Sequence, residues 1–78
     1  MDGETQLRAR RTRVKILRAI AENNGMAGYS QIRYKTGLST GSIYYHLERM
    51  KTYIKKDAKQ YKITDEGMRF LNEIEKSS

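Results

Sequence analysis

A mainly α fold carrying one small β-hairpin is what this sequence predicts, and three observations predict it. The first is a break at Gly37-Leu38-Ser39 between two helical stretches, which is the turn chemistry of a helix-turn-helix. The second is a change of period after Met50, from helical spacing to alternation, with Tyr53-Ile54-Lys55-Lys56 and Gln60-Tyr61-Lys62-Ile63 flanking Asp57-Ala58-Lys59. The third is a pair of flanking helices whose apolar residues each cover about half a helical wheel. Together they describe one domain over 1–78: a core of three to four helices with a two- to three-stranded sheet.

In chain order, residues 1–5 read as a flexible leader, with Thr5 as the N-cap of a first helix over 6–23. Asn23-Asn24-Gly25 is its stop signal. Ile16, Leu17 and Ile20 form the inner part of its apolar arc, and Leu7, Val14 and Ala21 the outer part. Arg8, Arg10 and Arg11 then fall near a first turn, where the macrodipole disfavours each cation by about 0.3–1 kcal/mol, which invites a phosphate partner. Met26-Ala27-Gly28-Tyr29 is too short for a helix and reads as a strand.

Ser30 is expected to cap a second helix over 30–36, held inward by Ile32 and turning outward Tyr34 and Lys35. Gly37 ends it, because a left-handed turn costs glycine nothing. Ser39 then caps a third helix over 39–51, in which Ile43, Leu47 and Met50 recur at i, i+4 and i+7 as a buried stripe. Its opposite side carries Gly41, Ser42, Tyr45, Glu48, Arg49 and Thr52. The hairpin spans 53–63, with Ile54, Tyr61 and Ile63 inward and Lys55, Lys56, Lys59 and Lys62 exposed. Thr64 caps a last helix over 65–76, with Asp65 and Glu66 placed as the dipole prefers. Phe70, Ile74, Leu71 and Met68 make its apolar arc, and Gly67 lets it approach the sheet closely.

The run Thr36-Gly37-Leu38-Ser39-Thr40-Gly41-Ser42-Ile43-Tyr44-Tyr45-His46-Leu47 resembles the recognition region of winged helix-turn-helix regulators of the ArsR-like and PadR/MarR-like type. Thr64-Asp65-Glu66-Gly67-Met68-Arg69-Phe70-Leu71 is similar to the segment after the wing in the same families, so the resemblance covers roughly residues 14–71. It implies that the hairpin is a wing and that the third helix enters a DNA major groove. Arg33 stands where those families usually place a small residue, which implies a less tightly seated second helix. Metal-sensing ArsR-like proteins use cysteine or histidine/carboxylate clusters; this chain has no cysteine and one histidine, so no metal and no cofactor are expected. The resemblance also places His46 on the flank of the recognition helix, as a helix-anchoring or backbone-contacting side chain.

Charge points the same way as the resemblance. The net charge is +7, but residues 5–62 hold 14 of the 16 Lys and Arg with only Glu22, Glu48 and Asp57 as acids, a net of +11. Such asymmetry favours a polyanionic partner. No run approaches the roughly 18 apolar residues of a membrane span, so a cytoplasmic protein without membrane contact is expected. His46 has no hydroxyl or acid cluster at suitable spacing around it in sequence, so an enzyme is not expected.

The expected function is therefore sequence-specific binding of double-stranded DNA by a small transcriptional regulator, a repressor. Thr40, Ser42, Tyr45 and Arg49 are the base-reading candidates, Arg49 through guanine O6 and N7. Tyr34, Lys35, Tyr44, His46, Lys55, Lys56, Lys59 and Lys62 are the candidates for the DNA backbone. Two other readings stay open: a winged-helix protein–protein interaction module, and an RNA or single-stranded nucleic-acid binder using its six tyrosines to stack bases. A core this small supplies only about 3–5 kcal/mol without a staple, which suggests a homodimer. Its expected interface is Leu7, Val14, Ala21, Phe70 and Ile74, with half-sites roughly 34 Å apart.

Overall fold

The computed structural model describes residues 2–77, with side chains for 7–76. Its elements run α1 (Asp2–Glu22), β1 (Met26–Gly28), α2 (Tyr29–Thr36), α3 (Thr40–Glu48), β2 (Ile54–Asp57), β3 (Gln60–Ile63) and α4 (Asp65–Ser77). The strands form one antiparallel sheet in the order β1-β3-β2, which completes a winged helix-turn-helix. Ile16, Leu17 and Ile20 of α1, Ile32 of α2 and Ile43 of α3 are fully buried, joined by Ala27, Leu47, Met50, Ile54 and Leu71. Each of the isoleucine, leucine and methionine side chains among them contributes about 1.5–3 kcal/mol on leaving water. Arg33 is exposed and does not disturb the seat of α2, whose Ile32 has no accessible surface.

Several expected boundaries move. Residues 2–5 are helical rather than a leader, and Thr5 lies inside α1 instead of capping it; Met1 lies outside the described residues. Arg8, Arg10 and Arg11 consequently sit beyond the first turn, where the macrodipole no longer penalises them. The helix ends at Glu22, and Asn24 and Gly25 both take left-handed backbone as it turns into β1.

The start of α2 is Tyr29, not Ser30, and its N-cap residue is Gly28. The Gln31 side chain accepts from the Gly28 N–H at 2.9 Å and from Asn23 Nδ2 at 3.2 Å, so the chain turns helical one residue early. Gly37 does end the helix in the left-handed conformation, φ 72°, and its N–H returns to the Arg33 carbonyl at 2.8 Å. Ser39 caps α3 by accepting from the Ser42 N–H at 3.3 Å.

The third helix stops at Glu48 rather than at 51, with Arg49 as its C-cap. The N–H groups of Arg49 and Met50 bond the carbonyls three residues back, which tightens the last turn. The Met50 carbonyl then receives both Tyr53 N–H, at 3.0 Å, and Ile54 N–H, at 2.8 Å. This tight exit buries Met50 and delivers Ile54 straight into the sheet. In the hairpin Tyr53 belongs to the preceding turn and Asp57 to β2, leaving a two-residue loop of Ala58 and Lys59.

Helix α4 is pinned at its start. The Thr64 hydroxyl accepts from the Gly67 N–H at 3.1 Å and donates to the Thr52 carbonyl at 2.7 Å. A Cβ at position 67 would lie 2.5 Å from the Tyr53 carbonyl oxygen and 2.7 Å from Ile63 Cγ1, so only glycine permits this approach. Tyr53 stacks on Phe70 with ring centroids 4.8 Å apart. Met68, expected in the apolar arc, is exposed, while Leu71 takes the core position.

Candidate nucleic-acid interface

The buried stripe of α3 fixes which of its side chains face outward. With Ile43 and Leu47 turned into the core, Gly41, Tyr45, Glu48 and Arg49 are exposed and Ser42 is half-buried. The Arg49 guanidinium lies 3.9 Å from the centroid of the Tyr45 ring. A cation over an aromatic face is attracted by the ring quadrupole, so this pair restrains where the guanidinium sits. His46 meets the same Tyr45 ring edge-on, at 5.1 Å and 88°. Arg49 is thus carried on a layered support rather than on a free side chain.

His46 overturns one expectation. It is only 7% exposed, so it does not reach a DNA backbone; it anchors the helix instead. Arg13 of α1 donates from Nε to His46 Nδ1 at 3.4 Å. Burial first, and then the positive charges of Arg13 and Arg49, hold the imidazole below its ordinary value. The ring is neutral at pH 7, with Nδ1 as the acceptor and the proton on Nε2.

On the other flank of α3, Tyr44 stacks flat on Tyr29, with centroids 5.1 Å apart and planes 3° from parallel. The Thr40 hydroxyl shares a hydrogen bond with the Tyr29 hydroxyl. Thr40 therefore remains exposed with its hydroxyl engaged, and Tyr44 keeps one ring face covered. Tyr61 of β3 completes this flank. Burial, then the neighbouring Tyr44 phenol and Glu48 carboxylate, raise its pKa, which keeps the phenol protonated. Glu48 also meets Lys51 at 3.7 Å, an exposed pair worth little.

The wing presents its lysines in two ways. Lys55 and Lys62 are directly opposed across β2 and β3, on the face away from Ile54 and Ile63. Like charges directly opposite destabilise a strand pair by a fraction of a kcal/mol to about 1 kcal/mol. Lys56 lies on the other face, its Nζ 5.9 Å from the Tyr61 ring centroid, and Lys59 stands in the two-residue loop. All four lysines are exposed, as are Lys35 and, at 91%, Tyr34 on α2.

The five residues expected at a dimer interface do not form one free surface. Val14, Ala21 and Phe70 pack partly against this chain's own core, and Phe70 is further covered by Tyr53 and approached by Arg10. Leu7, 51% exposed, and Ile74 line a groove between α1 and α4 together with Val14. Arg13 is the residue of this candidate site that sequence reasoning missed. Its partner is 33 residues away, and no local pattern links the two.

Among the described residues no group of three His, Cys, Asp or Glu could hold a metal ion, and no helix is long and apolar enough to cross a membrane. No curated protein and no solved structure matches the chain. A family model does match, over residues 5–74, from the first turns of α1 to near the end of α4. The chain belongs to that family, described as a domain of unknown function (DUF7347).

Proposed function

We propose that this protein binds double-stranded DNA sequence-specifically and acts as a small transcriptional regulator, repressing by occupying its site. The observation that carries the reading is the Arg49–Tyr45 stack on the exposed side of α3. It restrains on the exposed side of the helix a guanidinium, the group that pairs bidentately with guanine O6 and N7. Ser42, beside it, offers a hydroxyl to either base type, and the lysines of the wing supply phosphate contacts that position without specifying. The opposed Lys55–Lys62 pair supports a polyanion here, because a phosphate bridging the two side chains on that face of the sheet relieves their repulsion. The buried, neutral His46 has the role of an anchor, which favours binding over catalysis.

The test begins with selection of duplexes from a random library by the full chain. An enriched motif is expected. Arg49→Ala should then cost about 1–3 kcal/mol on that motif and far less on random duplex. Equal losses on both would reduce Arg49 to a phosphate contact, and no enriched motif would remove sequence specificity. The single-strand reading draws on Tyr34 and on the outer face of Tyr44. Equal or tighter binding of single-stranded DNA or RNA at the same salt would favour it instead.

A further inference from the structure

The α1–α4 groove is unlike the surface around α3. It has a volume of about 490 Å³, an apolar floor of Leu7, Val14 and Ile74, and a rim of arginines and one lysine from α1. Two rim cations already have neighbours: Arg10 approaches the Phe70 ring at 6.0 Å, and Arg18 pairs with Glu75 at 3.3 Å. Among the described residues, Arg11 and Lys15 have no carboxylate partner and no acidic side chain lines the groove. From Leu7 to Arg18 the groove follows α1 for about 16 Å, three turns of helix.

An apolar floor of that length between cationic rims is complementary to one kind of ligand. We infer that the groove docks an acidic amphipathic helix of a partner protein, with its apolar stripe on Leu7 and Val14 and its carboxylates on Arg11 and Lys15. The mode is a helix laid in a groove, read by anchors at i, i+3, i+4 and i+7. A second copy of this chain is the weaker occupant. A two-fold contact of groove on groove sets the same cations against each other, and like-charge juxtaposition across an interface is costly. Duplex DNA fits less well too, since it has no use for the apolar floor. The groove also lies away from the recognition surface. At about 100° per residue, Arg11 and Lys15 point about 160° around α1 from Arg13, the residue that supports α3. The inference therefore stands independently of DNA binding, and both surfaces can be occupied at once.

The test uses the full chain and a fluorescent synthetic peptide of about 16 residues, roughly 24 Å as a helix. The peptide is built from alanine, leucine and glutamate, with leucines at helical spacing on one side. Saturable binding is expected, weakened about tenfold or more by replacing its glutamates with lysines or by scrambling its leucine spacing. Arg11→Glu combined with Lys15→Glu should weaken the acidic peptide by a similar factor and favour the lysine version. Leu7→Glu should also weaken it, with melting curves confirming that each variant is folded. Equal binding of the scrambled peptide, or unchanged affinity in the charge-reversed variant, overturns the inference. So does a dimer of the free chain that Leu7→Glu dissociates, because the occupant is then a second copy. A parallel loss of duplex affinity in the charge-reversed variant makes this face a phosphate contact and overturns it as well.

Discussion

The α3-and-wing face and the α1–α4 face are both cationic, and what surrounds the cations separates them. On α3 the guanidinium of Arg49 rests on an aromatic ring, the ring is braced by a buried histidine, and the histidine is held by Arg13. Nearby wing lysines extend the positive surface without an apolar floor. On α1 the cations flank exposed aliphatic surface instead. Aligned planar donors suit base edges and phosphates, whereas cations beside an apolar trough suit an amphipathic partner. Net charge alone would have merged the two faces into one basic surface.

The largest expected effect comes from Gly67, because α4 borders the groove only while it can approach the Tyr53 carbonyl. Gly67→Ala forces a Cβ into that carbonyl and should destabilise the fold by about 1–3 kcal/mol. Urea unfolding measures this, and an unchanged midpoint would mean that α4 is not seated so closely. Next is the wing. Replacing Lys56 and Lys59 with alanine should flatten the log–log salt dependence of duplex binding by about 0.9 per lost contact, with peptide affinity at the groove nearly constant. An unchanged slope would take the wing out of the DNA interface.

A smaller effect tests the stacked pair itself. A double-mutant cycle of Arg49→Ala and Tyr45→Ala on the selected duplex should show a coupling of about 0.5–1 kcal/mol. Strict additivity would mean that the ring does not organise the guanidinium. The smallest concerns pH. Because His46 has a folded pKa below its ordinary value of 6.5, the unfolded chain binds the proton more readily than the folded one. Stability from this group is complete above that value and is lost as pH falls below it, toward the folded pKa. His46→Gln should lack this component in melts compared at pH 7.5 and pH 5.5, and a variant with the wild-type slope would assign the titration elsewhere.

Local rules carried most of the fold. Gly37 and Ser39 mark the turn through chemistry confined to a few residues, and the Ile43, Leu47 and Met50 stripe needs only helical periodicity. Gly67 was also legible, since a glycine in the first turn of an apolar-faced helix has few other uses. What could not be read depends on distant partners. The early end of α3 follows from the Met50 carbonyl serving the start of the hairpin. Asn23 and Gln31 together move the start of α2. His46 reads as a surface flank until Arg13 is brought beside it. The wide apolar arcs of α1 and α4 did not reveal that Phe70 is covered by Tyr53 while Leu7 and Ile74 stay at an open groove. Of the candidate site, the identity of the exposed α3 residues was legible and their mutual support was not.

The pairing of β1 with β3 has a consequence for how α3 is kept. Met26 lies opposite Lys62, so this one ladder closes a loop that contains all of α2 and α3. Closing a flexible loop of that length costs about 3 kcal/mol in chain entropy, and it is recovered only when the enclosed helices pack. The turn, the helix and the ladder therefore form and open as one cooperative unit. Position along the sequence makes β1 look like a remote edge strand. In the folding of this chain it is the latch that holds α2 and α3 together.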